Sequence, residues 1–402
     1  MRSTARLSSR RSFLRASVAG AVSFGAISSP RPLAAAPAGR AGPRAVVRSR
    51  STVSYEPGLY HGWPTLARRR DGELLLVASG GREAHVCPFG RVELQRSRDD
   101  GATWSYPQVV MDGPIDDRDA GVVETARGTL LVTTFTSLAY APILARAETL
   151  AASGGDGAWD AERLRRWRGA HGRVDERGRQ AALGVWMARS TDGGITFSGR
   201  FDSLVNSPHG PIQLADGRLL YAGKDLWRDG ERVGVCESVD DGASWRWLAT
   251  IAVRDGDDHR EYHELHAVET ADGRIVVHIR NHNTANSGET LQCDSADGGK
   301  TWSKPRAIGV WGLPSHLLRL RDGRLLMSYG HRRAPFGNQV RVSDDHGRSW
   351  SAPLAISDDG AGGDLGYPAT VELADGSLLS AWYETLAGSP RAVLRQARWT
   401  IE

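Results

Sequence analysis

Short apolar runs alternate with tight-turn signals along most of the chain. Six segments share the order of an apolar run, a turn and a second apolar run: LARRRDGELLLV, VVETARGTLLVT, IQLADGRLLYAG, AVETADGRIVVH, LLRLRDGRLLMS and VELADGSLLSAW. Five of them turn at Asp-Gly, which supplies the positive φ angles of a β-hairpin, and apolar runs of this length are typical of strands. The pattern predicts an all-β fold that contains six such hairpins.

A second motif, S-x-D-x-G-x-[ST]-[WF], occurs five times between these hairpins. The copies read SRDDGATW, STDGGITF, SVDDGASW, SADGGKTW and SDDHGRSW. Aspartate and serine side chains can bond the amides of a turn, and glycine relieves the turn. The two hairpins together make a unit of about four strands, and such a sheet cannot bury both its faces alone, so the units pack radially. We therefore expect a six-bladed β-propeller.

The sixth unit lacks the second motif, which leaves its blade incomplete. We expect Ala392–Thr400 to form its third strand and Ala45–Tyr55 to return as its outer strand. This closure would remove the free sheet edges of an open ring. The predicted propeller domain therefore covers residues 45–402.

The second unit carries an insertion at about residues 138–185. Ala141–Ala152 and Trp159–Arg168 have the composition of helices, and the second stretch is basic. The insertion could form a lid or the wall of a binding subsite. It could equally be a helical excursion on the surface.

The first residues differ in composition from the rest. Residues 1–36 hold six arginines and no acidic residue, so without them the net charge of +4 becomes +4 − 6 = −2. The basic balance therefore gives no support for nucleic-acid binding. The run SRRSFLR from Ser9 resembles a twin-arginine motif, and a short apolar run and an A-x-A site near Ala36 follow it. We predict a signal peptide and leader over residues 1–38, a periplasmic or secreted protein, and no membrane span.

Equivalent positions on the inner strands should meet at the propeller axis. The residues eight positions before each turn aspartate (Arg127 in the second unit) are Trp63, Asp119, Pro208, Glu264, Pro314 and Tyr367. Tyr367 and Glu264 should therefore be neighbours. A phenol with a pKa near ~10 is a poor nucleophile at neutral pH unless a carboxylate takes its proton. The two residues are candidates for a nucleophile and its base, or else are ordinary hydrogen-bond partners that line the pocket.

The repeated motif on a six-bladed propeller resembles the sialidase superfamily, in which the motif is called an Asp box, over about residues 50–400. The sequence GYPAT around Tyr367 is similar to the family's last-blade start, which carries a nucleophilic tyrosine. The stretch HELHAVE, with Arg280-Asn281 after it, is similar to the one that carries the partner glutamate and a carboxylate-binding arginine. The resemblance implies an exo-acting, retaining glycosidase with Tyr367 as nucleophile, Glu264 as its base and Arg280 as the carboxylate contact.

The chain also departs from the family pattern. It reads HGWP where sialidases have Phe-Arg-Ile-Pro, so Gly62 replaces the first of three arginines. Residues 334–338 hold no arginine in register for the third, although Arg332 or Arg333 could reach in. The family's acid/base aspartate has no clear match, so Asp119 is our first candidate for that role and Glu83 the second, with His85 as a further proton source.

Several other residues are expected to line the pocket, because they lie at strand starts or in adjacent loops. In addition to Arg280, the candidate substrate-binding residues are Arg82, His61, Trp63, Asp117, His209, His266, His316 and His331. Trp63 could stack on a sugar ring or simply plug the axis. No motif with metal-ligand or cofactor spacing is present, so we predict neither a metal nor a cofactor.

Three functions fit these residues. The first is a glycosidase acting on a terminal acidic or related sugar, with a glycan or glycoconjugate as the only predicted partner and a monomeric chain. The second is a polysaccharide lyase, in which histidine or tyrosine removes the proton α to a uronate carboxylate. The third is a glycan-binding propeller without catalysis, and loss of the family arginines favours the second and third.

Overall fold

A computed structural model describes residues 42–56, 58–228 and 230–402. The predicted export signal lies outside the described residues. Within them the strands form six four-stranded antiparallel sheets, which are the blades of a propeller. The predicted fold class is confirmed.

The strands follow the order of the six predicted units. The first strand, β1 (Ala45–Thr52), precedes blade one, which consists of β2 (Tyr60–Arg68), β3 (Leu74–Arg82), β4 (Arg91–Ser97) and β5 (Gln108–Met111). Blade two consists of β6 (Asp116–Glu124), β7 (Leu130–Ser137), β8 (Val185–Ser190) and β9 (Phe201–Asp202). Blade three consists of β10 (Ile212–Gln213), β11 (Leu219–Lys224), β12 (Val233–Ser238) and β13 (Arg246–Thr250). Blade four consists of β14 (Tyr262–Glu269), β15 (Ile275–Asn281), β16 (Glu289–Ser295) and β17 (Arg306–Trp311). Blade five consists of β18 (Ser315–Arg319), β19 (Leu325–His331), β20 (Gly337–Ser343) and β21 (Leu354–Ser357). Blade six contains β22 (Leu365–Glu372), β23 (Leu378–Thr385) and β24 (Ala392–Ile401).

The last blade closes the ring as predicted. The sheet order is β1-β24-β23-β22, with Ala45 opposite Ile401 and Thr52 opposite Arg395. The outermost strand therefore comes from the start of the propeller, and the three inner strands come from its end. The first strands of blades one and two, four and five, five and six, and six and one lie against each other, the last pair being β22 and β2.

The core is divided among the blade interfaces. Each of the six interfaces in the described part of the chain has its own cluster of buried apolar side chains. Between blades six and one, for example, Val371 and Leu379 pack with Leu66 and Leu76. Burial of apolar surface on both faces is what stabilises each sheet.

The five Asp boxes form the outer hairpins of blades one to five. In the first, the Ser97 hydroxyl accepts a hydrogen bond from the Gly101 amide at 2.9 Å, and Asp99 accepts bonds from the Thr103 amide and hydroxyl at 2.9 and 2.6 Å. The bonds from Thr103 and Ser97 lower the pKa of Asp99 to about 2. The Trp104 indole donates to Gln396 at 3.0 Å, so this turn also bridges to blade six.

The insertion in blade two lies between β7 and β8. In the described residues it contains three helices, α1 (Ala141–Ser153), α2 (Ala161–His171) and α3 (Glu176–Ala182), one more than the sequence indicated. A separate apolar cluster anchors it, in which Trp167 is fully buried and its ring lies 6.0 Å from that of Phe89. Two 3₁₀ turns, His259–Glu261 and Thr284–Asn286, complete the described helical structure. No described helix is long and apolar enough to cross a membrane.

Candidate active site

Four inner strands begin with an unusual backbone conformation. Trp63, Asp119, Glu264 and Tyr367 have φ angles of 54°, 41°, 44° and 55°. At each of them the pairing with the next strand shifts register, as in a β-bulge. Such conformations cost about 1–3 kcal/mol each for a non-glycine residue and persist where the surroundings enforce them.

Blades three and five differ at the equivalent positions. They carry Pro208 and Pro314, and the proline ring holds φ near −65°. The four strained positions therefore carry a tryptophan, two carboxyls and a tyrosine, and the contacts among these side chains place them around the axis. Bulges of this kind are known to re-aim side chains next to active sites.

Blades four and six bring together the predicted nucleophile and base. The Tyr367 hydroxyl donates a hydrogen bond to Glu264 Oε1, and Arg280 Nη1 donates to Glu264 Oε2. Arg280 Nη1 also lies 3.2 Å from the Tyr367 oxygen. The expected neighbourhood of these three side chains is thus present, although 103 residues separate Tyr367 from Glu264.

The charges of this cluster keep the phenol protonated at rest. Burial and the neighbouring carboxylates of Glu264 and Asp119 raise the pKa of Tyr367 well above its usual value. Burial opposes ionisation of Glu264, but the charge of Arg280 and the hydrogen bonds from Tyr367 and Arg280 hold the pKa of that carboxyl below its usual value. Glu264 is therefore ionised and lies within hydrogen-bond reach of the phenol proton, an arrangement in which it could act as a base.

Asp119 adds a second carboxyl to the same pocket. It is only 5% exposed. Burial and the negative charge of Glu264 raise its pKa to about 7. Two carboxyls that share a buried site cannot both ionise easily, so Asp119 keeps its proton below about pH 7.

A layer of aromatic rings closes the pocket beneath these groups. Trp63 is 1% exposed, and its ring centroid lies 6.5 Å from that of Tyr367 and 5.9 Å from that of Tyr383. The Arg118 guanidinium lies over the indole at 4.4 Å. Of the two roles considered for Trp63, the structure supports the plug, since almost none of the ring is accessible to a sugar.

A hydrogen-bonded cluster that the sequence did not reveal lies beside this layer. The Tyr60 and Tyr383 hydroxyls each donate to Asp364 Oδ1 at 3.1 Å, and His85 Nδ1 lies 2.9 Å from the same oxygen. Tyr60 also contacts His85 Nδ1 at 2.8 Å. Burial opposes ionisation of Asp364, yet these donors lower the pKa of its carboxyl.

Arg332 supplies a further positive charge near Tyr367. Its Nε donates to the Leu365 carbonyl at 2.9 Å, and its guanidinium carbon lies 5.9 Å from the Tyr367 ring centroid. The arginine reaches the pocket from the loop after β19, although it is out of register with the family's third arginine. The guess that Arg332 reaches in is therefore supported, whereas Arg333 stacks on Trp311 at 3.7 Å.

Three charged residues expected in the pocket lie elsewhere. Arg82 is fully buried and forms a two-pronged ion pair with Asp116 at 2.6 and 3.0 Å, so it braces the strand and cannot contact substrate in this arrangement. Asp117 is also fully buried, accepts from the Gly113 amide at 2.5 Å, and has a pKa raised to about 7 by burial. Its predicted contact with substrate therefore has no support in the structure.

Glu83 is turned away from the axis. Its carboxylate contacts Arg163 at 2.5 Å, Arg166 at 3.1 Å and the Trp167 indole at 3.2 Å, all of them on α2. All three partners belong to the insertion, so this carboxylate faces the insertion and not the Tyr367 cluster. The structure therefore removes Glu83 as the second acid/base candidate and gives it the role of fastening the insertion to blade one.

The predicted histidine contacts are mostly structural. His209, His266 and His316 are buried at the axis with ring centroids 4.7–5.3 Å apart, and burial lowers the pKa of each. His61 is 1% exposed and packs on the Tyr55 ring, and burial lowers its pKa to about 4. His266 Nδ1 and His316 Nδ1 accept hydrogen bonds from backbone amides, and no described contact joins any of the four histidines to the Tyr367 cluster, so their predicted contacts with substrate have no support.

His331 lies at the rim of blade five. Its Nδ1 is 3.2 Å from the Pro335 carbonyl, and its ring is 6.0 Å from that of Trp311. No described contact joins it to the Tyr367 cluster, so its predicted contact with substrate has no support.

One group of described residues has the composition of a metal site. Potential ligand atoms of Glu261, His263 and His282 lie within 4.8 Å of one another. However, His282 Nε2 accepts a hydrogen bond from Arg280 Nε at 2.6 Å, which places the proton of the neutral ring on Nδ1. Neither nitrogen of His282 is then free for a metal, so we assign this histidine to the positioning of Arg280.

Residues 170–379 match the family model described as BNR repeat-like domain. The match covers more than half of the chain. The chain belongs to this family. No curated protein matches it significantly by sequence.

Solved structures with the same fold include several sialidases. A protein of unknown function from Dyadobacter fermentans is 22% identical with a TM-score of 0.71, over 90% of this chain and 100% of the other. The NanB sialidase of Streptococcus pneumoniae is 15% identical with a TM-score of 0.59, over 88% and 70% of the two chains. The intramolecular trans-sialidase of Ruminococcus gnavus, solved with oseltamivir carboxylate, is 14% identical with a TM-score of 0.58, over 85% and 94%. These similarities establish a sialidase-like BNR propeller.

A positional signal in this BNR propeller could have revealed the cluster missed above. Three residues before each strained position the chain carries Tyr60, Asp116, Glu261 and Asp364, all of them polar. Tyr60 and Asp364 belong to the hydrogen-bonded cluster, and Asp116 holds Arg82. A second count, at this offset, would have added these residues to the candidates.

Proposed function

We propose that the protein is an exo-acting, retaining glycoside hydrolase that removes a terminal acidic sugar. The observation that carries the proposal is the contact of Tyr367 with Glu264 and Arg280 at the propeller axis. The sialidase-like fold supports a hydrolase of this class.

In the proposed first step the Tyr367 oxygen attacks the anomeric carbon while its proton passes to Glu264. The pair is neutral where it meets the substrate, because the carboxylate charge of Glu264 is balanced by Arg280. A neutral nucleophile suits an anomeric carbon that bears a carboxylate, since a carboxylate nucleophile would be repelled; sialidases with a tyrosine nucleophile are the known exception to the two-carboxylate scheme.

Arg280 and Arg332 would bind the acidic group of the sugar. Both guanidiniums lie close to Tyr367, and their charges act on Glu264. With Gly62 in place of the first family arginine, the acidic group would be held by two arginines from blades four and five. Because this pair of arginines differs from the three of the family, the proposed substrates are terminal sialic acid, another keto-acid sugar and a uronic acid.

A Tyr367→Phe variant tests the nucleophile. Wild type and variant are compared on aryl glycosides of sialic, other keto-acid and uronic sugars, with Tyr329→Phe as the matched control. The control removes a buried phenol that bonds Gln339 outside the pocket. We expect a loss of at least about 10³-fold in kcat/KM for Tyr367→Phe and almost none for the control.

The covalent step has its own readout. A slowly released fluorinated donor of the active sugar should add its glycosyl mass to the peptide that contains Tyr367. Unchanged hydrolysis by Tyr367→Phe would refute the nucleophile, and an unsaturated uronate product with no hydrolysis would favour the lyase instead.

We also propose that residues 1–38 direct export through a twin-arginine route. The support is the sequence alone, SRRSFLR followed by an apolar run and an A-x-A site. Replacing Arg10 and Arg11 by Lys should leave the full-length precursor inside the cell. Continued export of the variant would contradict the proposal.

A further inference from the structure

We propose that His85, oriented by Asp364, is the group that donates and accepts the proton of the glycosidic oxygen. The inference rests on the proposed glycosidase function and names its acid/base. It favours His85, which the sequence offered only as a further proton source, over Asp119 and Glu83, the first two candidates for this role.

The hydrogen bonds around His85 fix which nitrogen is available. Nδ1 lies 2.9 Å from the Asp364 carboxylate, which can only accept, so Nδ1 carries a proton. The Tyr60 and Tyr383 hydroxyls donate to the same carboxylate and hold it in place. Nε2 is then the nitrogen that exchanges a proton, in an arrangement in which a carboxylate orients the imidazole and stabilises its charged form.

The position of His85 suits a leaving group. Its side chain is 44% exposed, and its ring meets the edge of Trp63, with centroids 4.9 Å apart. An aglycone departs on the face opposite the nucleophile, toward solvent. A half-exposed imidazole can meet it there, whereas Asp119 is 5% exposed and interacts with Glu264 on the nucleophile's side.

The loop that carries His85 is firmly held. Arg82 Nη2 and Arg118 Nη1 donate to the His85 carbonyl at 3.0 and 3.2 Å. Cys87 is fully buried, and Phe89 packs on Trp167 of the insertion. The fully buried Arg82 and the blade-two insertion therefore have a common purpose, which is to fix the backbone of the catalytic loop.

The proton balance of the two steps is complete. In the first, Tyr367 Oη bonds to the anomeric carbon as the glycosidic C–O bond breaks, Glu264 takes the phenol proton, and His85 Nε2 gives its proton to the departing oxygen. In the second, water bonds to the anomeric carbon as the C–Oη bond breaks, its proton passes to His85 Nε2, and Glu264 returns a proton to Tyr367.

Leaving-group dependence tests the donor directly. For the sugar that the wild type cleaves, a methyl glycoside needs protonation of its leaving oxygen and a dinitrophenyl glycoside does not. We expect His85→Ala to lose about 10²–10⁴-fold in kcat/KM on the methyl glycoside. On the dinitrophenyl glycoside the loss in the first step should be less than about 10-fold.

Two further variants separate a chemical role from a structural one. Asp364→Asn should show the same leaving-group dependence with a smaller loss, because it disorients His85 without removing it. His346→Asn is the matched control, in an outer turn where the φ of 62° suits asparagine, and should be unchanged on both substrates. Azide, which needs no base, should restore turnover of His85→Ala on the dinitrophenyl glycoside and give a glycosyl azide.

The outcomes distinguish the inference from the function on which it rests. Equal losses on both substrates, or no loss on the methyl glycoside, would overturn the role of His85 while leaving the glycosidase intact. A wild type that hydrolyses no glycoside would overturn the proposed function and the inference together. Selective loss with azide rescue supports both.

Discussion

Residues with positive φ angles occur both in the outer turns and at the inner strand starts of the blades, but they are stabilised in different ways. At the outer turns, positive φ falls on residues such as Asp100, Asp241 and His346, which short-range hydrogen bonds within the Asp box stabilise. At the inner starts it falls on tryptophan, glutamate and tyrosine, for which it is a true outlier. Those residues lie outside the Asp boxes, so packing against the neighbouring blades must hold their backbone in this conformation.

The two regions also differ in how much each copy matters. The five outer turns repeat the same bonds, with the glycine amide 2.8–2.9 Å from the serine hydroxyl in every case. Each inner start carries a side chain that no other blade supplies at that position, apart from the two prolines. Changes at the inner starts should therefore alter chemistry, and changes at the outer turns should alter stability.

The largest effect is expected for Glu264→Gln. Glutamine keeps the shape and can still accept a hydrogen bond from Tyr367, but it cannot take the phenol proton. We expect kcat/KM to fall about 10²–10⁴-fold. Thermal unfolding should also shift downward, because Arg280 loses its charged partner in a largely buried site. A Glu264→Gln variant with the activity of the wild type would show that catalysis does not need the carboxylate at this inner strand start.

Asp119→Asn is expected to change the pH dependence of activity. As the pH rises through about 7, Asp119 ionises beside Glu264 and repels an acidic sugar. The kcat/KM of the wild type on a dinitrophenyl glycoside should therefore fall above that pH, and the variant should lack this decline. An identical alkaline limb in both proteins would exclude Asp119 as its source.

Asp117→Asn is the matched comparison for Asp119. Both carboxyls have a folded pKa raised to about 7, against about 3.9 in an unfolded chain. The native state then holds the proton longer, so both groups reduce stability as the pH rises from about 4 to 7. Either variant should flatten this decline in denaturant titrations, but only Asp119→Asn should change the activity profile.

The sequence predicted the repeated parts of the molecule better than the unique ones. Turn chemistry and apolar patterning recur in every blade, so the six sheets and the closing strand could be derived from them. Counting from the turns also placed Tyr367 beside Glu264. The roles of Arg82 and Glu83, which were inferred from their place after the first hairpin, have no support, because Asp116 and the insertion decide where those side chains point.

The same limit explains the overlooked cluster. Tyr60, His85, Asp364 and Tyr383 come from four separate segments and meet only through the closure of blade six on blade one. Arg332 likewise reaches Tyr367 from a loop whose path no repeat specifies. Contacts between non-equivalent positions depend on the closed ring, so a count along the repeats can name candidates such as Tyr60 and Asp364 but cannot show that they meet.

A moderate effect is expected for His282→Ala, next to an inner start. Burial and Arg280 lower the pKa of His282, so it is neutral near pH 7 and accepts from Arg280 Nε. Losing this bond should raise KM for an acidic substrate about 5-fold, with a smaller change in kcat. His282→Gln, whose amide oxygen can accept the same bond, should recover part of the loss. A KM unaffected by either change would show that Arg280 needs no such support.

The smallest effect on activity is expected for Asp345→Ala in the outer turn of blade five. Asp345 accepts bonds from the Ser349 amide and hydroxyl and from Ser343, at 2.9, 2.5 and 2.8 Å. Losing these bonds should lower the free energy of unfolding by about 1–2 kcal/mol at pH 7. The value of kcat/KM should stay within about 2-fold of the wild type, because the axial position of blade five carries Pro314 and no group with a proposed chemical role.

The pH dependence of that stability loss provides the control. Burial alone would raise the pKa of Asp345, but the bonds from Ser349 and Ser343 lower it overall. Its contribution is therefore present above the unfolded pKa of about 3.9 and is lost as the pH falls through the lower folded value. The stability gap between wild type and Asp345→Ala should narrow in acid. If Asp345→Ala lowered kcat/KM as much as His282→Ala does, the outer turns would influence the site at the axis. The distinction between outer turns that stabilise the fold and inner strand starts that perform the chemistry would then be wrong.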